Sequence, residues 1–173
     1  MVSDDQQLVV EAAAGSTAAA EELFARHWLP AWQLAFSVTG SRTAADDVAQ
    51  DAFERAFRGL GGFNGGSSFR TWLSRIVVNR AIDVGRRQRS LEPLEVAETA
   101  VTPSSDDDLV RDRDLLEAVV ALPEERRVVV ALRYWTACTP PEIAEILDLP
   151  LGTVHSRLAR ALAELRSRLE VAT

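Results

Sequence analysis

The chain has 173 residues and no lysine; all 19 of its basic residues are arginines. A phosphate-binding loop of the GxxxxGK type is therefore excluded, and no strand pattern precedes its glycines in any case. There is one cysteine, Cys138, so an intramolecular disulfide is impossible, and two histidines cannot complete a zinc constellation with it. Cys138 reads as a small core residue just before a helix. No apolar run approaches the length of a membrane span, and no basic-then-apolar stretch opens the sequence. A cytoplasmic protein without membrane insertion of its own is the expectation. The acidic cluster Asp46, Asp47, Asp51 and Glu54 has no nearby histidine or metal-ligand spacing to work with, and neither an enzyme nor a cofactor is expected.

What is present favours helix. Hydrophobic residues make up 47% and charged residues 26%, with abundant alanine and leucine, nine glycines and one tyrosine. The net charge of −7 is unevenly spread. Residues 1–91 carry ten acids and ten arginines, and residues 109–173 carry ten acids and nine arginines. Residues 92–108 carry six acids and no base. The acidity thus belongs to one short segment between two nearly neutral halves.

The stretch from Thr139 to Leu169 reads as two helices and a tight turn. Thr139 is a good N-cap, and Pro140 follows at the first helical position, where its missing N–H costs nothing. Pro150 pushes Leu149 out of the helical region and interrupts the period. The second helix resumes with Leu151, Val154, Leu158, Leu162, Leu165 and Leu169 at spacings of three and four. Opposite them stand Thr153, Ser156 and Arg160, with His155 and Arg157 on the flanks. This is the plan of a DNA-reading helix-turn-helix, with an ordinary αα-hairpin as the alternative.

Upstream, Ser3–Gly15 and Thr17–Ala35 read as amphipathic helices, capped by Ser3 and Thr17. Leu23, Phe24, Trp28, Trp32 and Phe36 form an aromatic-rich stripe, read as core. A third helix over Thr43–Arg58 buries Val48, Ala49, Ala52, Phe53, Ala56 and Phe57. Its other surface carries Asp46, Asp47, Gln50, Asp51 and Glu54, either a solvated face or a dock for a basic protein.

Residues 59–66 hold five glycines around Phe63 and Asn64. This segment is expected to be non-helical, and to be either a plain connection or a loop that offers Phe63 as a stacking surface. The helix that follows, Ser67–Arg89, has Phe69, Leu73, Ile76, Val77 and Val84 inward and six arginines against one acid, Asp83. A phosphate-tracking face and a merely solvated basic face both fit it. Ser90–Asp108 is aperiodic, acidic and contains two prolines, which predicts a flexible linker. Helices over Leu109–Leu122 and Pro123–Tyr134 complete the second half.

Taken together, these residues resemble the extracytoplasmic-function (ECF) subfamily of bacterial sigma factors. ADDVAQDAFERAFRGLGGFNGGSSFRTWLSRIVVNRAID is similar to sigma region 2. ALPEERRVVVALRYW and EIAEILDLPLGTVHSRLARALAELR are similar to region 4. The resemblance implies an all-α protein of two small helical domains: a region 2-like domain over 1–89, an acidic linker over 90–108, and a region 4-like domain over 109–173. It implies that Asp47, Gln50, Asp51 and Glu54 dock on the clamp helices of the largest RNA polymerase subunit, with region 4 on the flap of the second-largest.

The same resemblance implies that Phe63 and Asn79, assisted by Asn64, hold a flipped base of the −10 element, with Arg80, Arg86 and Arg87 on nearby phosphates. Trp72 occupies a family position as well, with a core role as the alternative. Thr153, His155, Ser156, Arg157 and Arg160 would read the −35 element. His155 and Ala159 depart from the larger or more basic residues usual there, and Asp148 replaces a usual glycine at the turn. The expected function is promoter-specific initiation with core polymerase, restrained by an anti-sigma factor. A stand-alone helix-turn-helix regulator and a helical adaptor without DNA binding are the alternatives.

Overall fold

A computed structural model of the protein describes residues 4–91 and 115–171, all helices and connections. The Ser3 cap and most of the acidic linker lie outside the described residues, as do residues 109–114.

The first half is built from α1 (Asp4–Ala13), α2 (Thr17–Thr39), α3 (Arg42–Gly59) and α4 (Phe69–Leu91). The cap of α2 is Ser16 rather than Thr17: the Ser16 hydroxyl accepts the Ala19 N–H at 3.3 Å, leaving Thr17 as the first helical residue. Likewise Ser41 caps α3 through the Ala44 N–H. α2 runs four residues past the predicted Ala35, through Pro30, and stops only where Gly40 turns left-handed at φ 67°. There the Gly40 N–H bonds the Phe36 carbonyl, a helix end that glycine adopts without steric cost.

The glycine-rich segment is more helical than its composition predicts. α3 continues through Gly59, and Leu60–Gly62 form a 3-10 turn whose buried Leu60 ties the segment to the core. One apolar anchor is enough to order a single turn that propensity alone disfavours. α4 also outruns the predicted linker boundary, reaching Leu91.

In the second half, residues 115–120 are helical (α5), followed by α6 (Glu124–Tyr134), α7 (Pro140–Leu147) and α8 (Leu151–Val171). α7 opens in a capping-box arrangement. Glu142 reaches back so that its Oε2 accepts the Thr139 N–H at 2.7 Å and the Thr139 hydroxyl at 2.8 Å.

α2 is the shaft of the molecule. It packs against α1, α3 and α4 of its own half and against α6 of the other, so one hydrophobic core runs through both halves. Leu23 and Leu34 of α2 are fully buried, as are Val48, Val77, Leu132, Ile143 and Val154 from α3, α4, α6, α7 and α8. Each such side chain contributes about 1.5–3 kcal/mol over an exposed position. α1 is pinned to α2 by Asp5, which meets His27 at 2.8 Å and Arg26 at 3.3 Å. Cys138 is fully buried beside the Thr136 hydroxyl.

The aromatic stripe of α2 is core only in part. Leu23 and Phe36 are buried, but Phe24 is 40% exposed and lies on the outside of Trp28 and Phe53. On α8 the expected stripe shifts: Val154, Leu158, Ala161 and Leu165 are buried, whereas Leu151 and Leu162 are exposed. The buried line keeps Val154, Leu158 and Leu165 and runs through Ala161 instead of its neighbour Leu162. Ile76 is likewise only half-buried, while Val78 and Ala81 are buried on α4.

The halves also meet where α4 packs on α7. The Thr71 hydroxyl donates to Glu142 Oε1 at 2.8 Å, and Arg75 faces Glu145 at 3.5 Å. Partial burial opposes the Glu142 charge. The Thr139 N–H, the two threonine hydroxyls and the Arg70 charge outweigh it and hold the carboxyl below its ordinary range. A carboxyl with a lowered folded pKa stabilises fully above its unfolded pKa and stops doing so as pH falls through the folded value. Glu142→Ala should cost about 0.5–1 kcal/mol at pH 7, the worth of a hydrogen bond partly screened by solvent. Urea unfolding of both proteins should show that difference shrinking as pH drops below about 4.5.

Candidate nucleic-acid and partner interfaces

On α3, Asp47, Gln50, Asp51 and Glu54 follow at intervals of three, one and three residues and so line one stripe. Asp47, Gln50 and Glu54 are exposed, and Glu54 bonds Arg58 one turn on at 2.8 Å. Asp51 is only half-exposed. Its Oδ2 faces Arg55 Nε at 3.1 Å and Arg80 Nε of α4 at 2.5 Å. Asp46, beside the stripe, accepts the Trp32 indole N–H at 2.6 Å and is committed to the fold.

The turn after α3 presents Phe63 half-buried, its ring 5.0 Å from that of Trp72. Trp72 in turn rests on Phe69, at 6.1 Å. Phe63 thus has one face held by the fold. Asn64 is exposed, and its side-chain carbonyl accepts the Gly66 N–H at 3.0 Å, closing the loop around Gly65 at φ 70°. That oxygen serves the loop's own conformation.

Seven residues, two helical turns, separate Trp72 from the exposed Asn79, and seven more separate Asn79 from the exposed Arg86. These three share one line on α4, with Phe63 against its first member. Arg80 and Arg87 belong to the next line. Arg87 is exposed, while Arg80 turns toward Asp51. Phe63 thus sits at the start of a line on α4 that further along carries Asn79 and Arg86, while Arg80 is set apart from that line by its ion pair with Asp51. Trp72, named in the sequence by its family position with a core role as the alternative, packs against Phe63 with its ring tilted by 45°.

In the second half, α7 ends at Asp148, whose φ 51° and ψ 52° are left-handed, with its N–H on the Ala144 carbonyl. Aspartate fills this position where glycine would be unstrained. The turn through Leu149 and Pro150 then starts α8. Thr153, His155, Ser156 and Arg160 are outward, His155, Ser156 and Arg160 being exposed and Thr153 half-exposed. Arg157 departs from them: it is half-buried against α6, 3.4 Å from Glu125. The Ser156 hydroxyl donates back to the Thr153 carbonyl at 3.0 Å.

Residues 23–91 match the family model for sigma-70 region 2, and residues 112–165 match that for sigma-70 region 4. The chain belongs to the sigma-70 family, in its ECF subfamily. It is 34% identical to the RNA polymerase sigma-H factor of Pseudomonas aeruginosa, over 96% of this chain and 94% of that protein. It is 30% identical to the ECF sigma factor SigW of Bacillus subtilis, over 80% and 82% of the two chains. Among solved structures, CnrH in complex with the cytosolic domain of CnrY superposes with a TM-score of 0.70 at 29% identity, covering 98% of this chain and 99% of that one. As a sigma factor, the protein serves transcription initiation.

In this sigma factor the left-handed Asp148 sets the entry of α8. Asp148→Ala should destabilise the protein by about 1 kcal/mol, since alanine lacks the local hydrogen bonding that eases aspartate into this region, while Asp148→Gly should be neutral or slightly stabilising. Thermal unfolding of the two variants checks the order.

Proposed function

We propose that the protein binds core RNA polymerase and directs initiation by reading duplex −35 DNA with α8 and capturing single-stranded −10 DNA on α4 and the Phe63 turn. The observation that carries this reading is Phe63, supported from below by Trp72, with Asn79 two turns along the same face. An extruded base needs a stacking surface and hydrogen-bonding groups for its Watson–Crick edge, and this face offers both. Arg86, Arg87 and Arg80 supply positive charge for adjacent phosphates, and Asn64 keeps the turn closed. A pocket that accepts only an unstacked base favours the melted promoter, because it has no affinity for the paired state.

Thr153, His155, Ser156 and Arg160 face outward to meet the major groove. Arg157 serves α6 through Glu125 until DNA is present. Asp47, Gln50, Asp51 and Glu54 form the dock for the basic partner surface on the clamp helices, and region 4 meets the flap. The regions correspond to domains over 1–89 and 109–173, joined by the acidic segment 90–108. Since CnrH is recorded in complex with the cytosolic domain of CnrY, an anti-sigma factor is the proposed restraint on this chain too. Among the described residues no helix is long and apolar enough to cross a membrane. A cytoplasmic factor with no catalytic chemistry of its own is the reading.

Run-off transcription with purified core polymerase tests the whole proposal. Core binding without initiation on any promoter of a genomic library would favour an adaptor, and tight specific binding of duplex DNA without polymerase would favour a stand-alone regulator. Phe63→Ala should weaken open-complex formation by about 1–3 kcal/mol, the worth of one base–aromatic stack, and leave core binding unchanged. Equal loss of both would remove the role given to this turn.

A further inference from the structure

We propose that Asp5 and His27 are positioning residues for the base-capture turn: they fix α1 against it, and they fix the aromatic row on which Phe63 rests. This rests on the function proposed above. The row begins at His27, whose ring centroid lies 5.3 Å from that of Phe69. Phe69, the buried first residue of α4, lies 6.1 Å from Trp72, and Trp72 lies 5.0 Å from Phe63. Four rings thus lead from α2 to the stacking face. At the α2 end of the row, His27 Nε2 meets Asp5 Oδ2 of α1 at 2.8 Å, and Arg26 meets the other Asp5 oxygen at 3.3 Å.

α1 also reaches the turn by a second route. It packs on the Leu60–Gly62 3-10 turn as well as on α2 and α4. Gln6, next to Asp5, is the nearest group to the open face of Gly65: its Nε2 lies 3.9 Å from the point where a β-carbon would stand. The turn needs such support. Five of the eight residues in 59–66 are glycine, and a glycine-rich segment has the most backbone freedom to lose. A turn that must be ordered at the moment of capture subtracts that entropy from base binding, and one ordered beforehand does not.

Neither Asp5 nor His27 is placed to touch a ligand. Their side chains are 18% and 12% exposed, and each already holds the other. Their effect on a captured base passes through packing, unlike that of Phe63, Asn79 and Arg86. Asp5→Ala cuts the tie between α1 and His27 while leaving every residue of the DNA face and of the acidic stripe in place. Asp5→Asn keeps a side-chain oxygen that can accept the His27 Nε2–H.

The test uses the full chain with purified core polymerase and a promoter recovered by run-off transcription. Melting is followed by permanganate reactivity of unpaired thymines, at a temperature where all variants are folded. Asp5→Ala should slow open-complex formation about fivefold with core binding unchanged, and Asp5→Asn should restore most of the rate. Asp5→Ala/Phe63→Ala should be no slower than Phe63→Ala alone, because the prop acts through that ring. A merely structural role makes the two losses add. In the free protein the Phe63 and Gly66 amides bond the Leu60 carbonyl and the Asn64 side chain. Their hydrogen exchange should quicken about tenfold in Asp5→Ala while α3 and α8 keep wild-type rates. Additive losses, or unchanged exchange in the turn, overturn the positioning role alone. If Phe63→Ala itself melts promoters normally, the base-capture reading falls, and the functional claim for Asp5 and His27 with it. If polymerase is bound but no promoter is recovered, the same reading falls, and the exchange arm still decides whether α1 holds the turn.

Discussion

The structure depends on the burial of α2. This helix has apolar residues on more than one side, with Leu23, Ala31, Leu34, Ala35, Phe36 and Val38 all buried. No single neighbour can cover such a surface, so α3, α4 and α6 close around it from different directions. Small residues at 31 and 35 permit the close approaches, and the leucines fill the space between them. The positions of α3 and α4 on this shaft decide where the acidic stripe and the Phe63 turn face. The packing of α6 on it brings the helix-turn-helix unit alongside the first half.

Arginine is the only cation other than histidine in the protein, and the structure divides it between two uses. Arg26, Arg126, Arg157 and Arg80 are engaged by Asp5, Glu164, Glu125 and Asp51, joining elements distant in sequence. Arg87 and Arg160 point outward. The fixed fork of a guanidinium makes it suited to either task, since it can bridge helices through a carboxylate or meet a phosphate with the same geometry. Which use applies to a given arginine follows from whether a carboxylate stands opposite it in the fold.

Much of the helical plan was legible in the sequence because its signals are local. Thr139 and Pro140 mark the start of α7, and the helix begins there; the Glu142 carboxylate that accepts the Thr139 N–H three residues back is added by the structure. Periodicity located α3 and its buried alanines well. Boundaries set by tertiary burial were not legible in this way. Leu60 orders a turn in a glycine-rich run because a core is there to receive it, and α2 continues past Ala35 because Phe36 and Val38 find buried places. On α8 the expected Val154, Leu158 and Leu165 are buried, while Ala161 takes the buried place expected of Leu162 and Leu151 is exposed.

The candidate sites divide along the same line. From the residues alone came the helical class and the helix-turn-helix, which rest on composition, spacing and short motifs that act within a few turns of chain. The membership of each proposed surface is what the family resemblance implies. Only the tertiary structure decided that Phe63 lies on Trp72, that Arg157 turns to Glu125, and that Arg80 and Asp51, 29 positions apart, share one ion pair. Contacts between separate helices depend on how each rotates about its axis when the common core is packed, and no local pattern carries that angle.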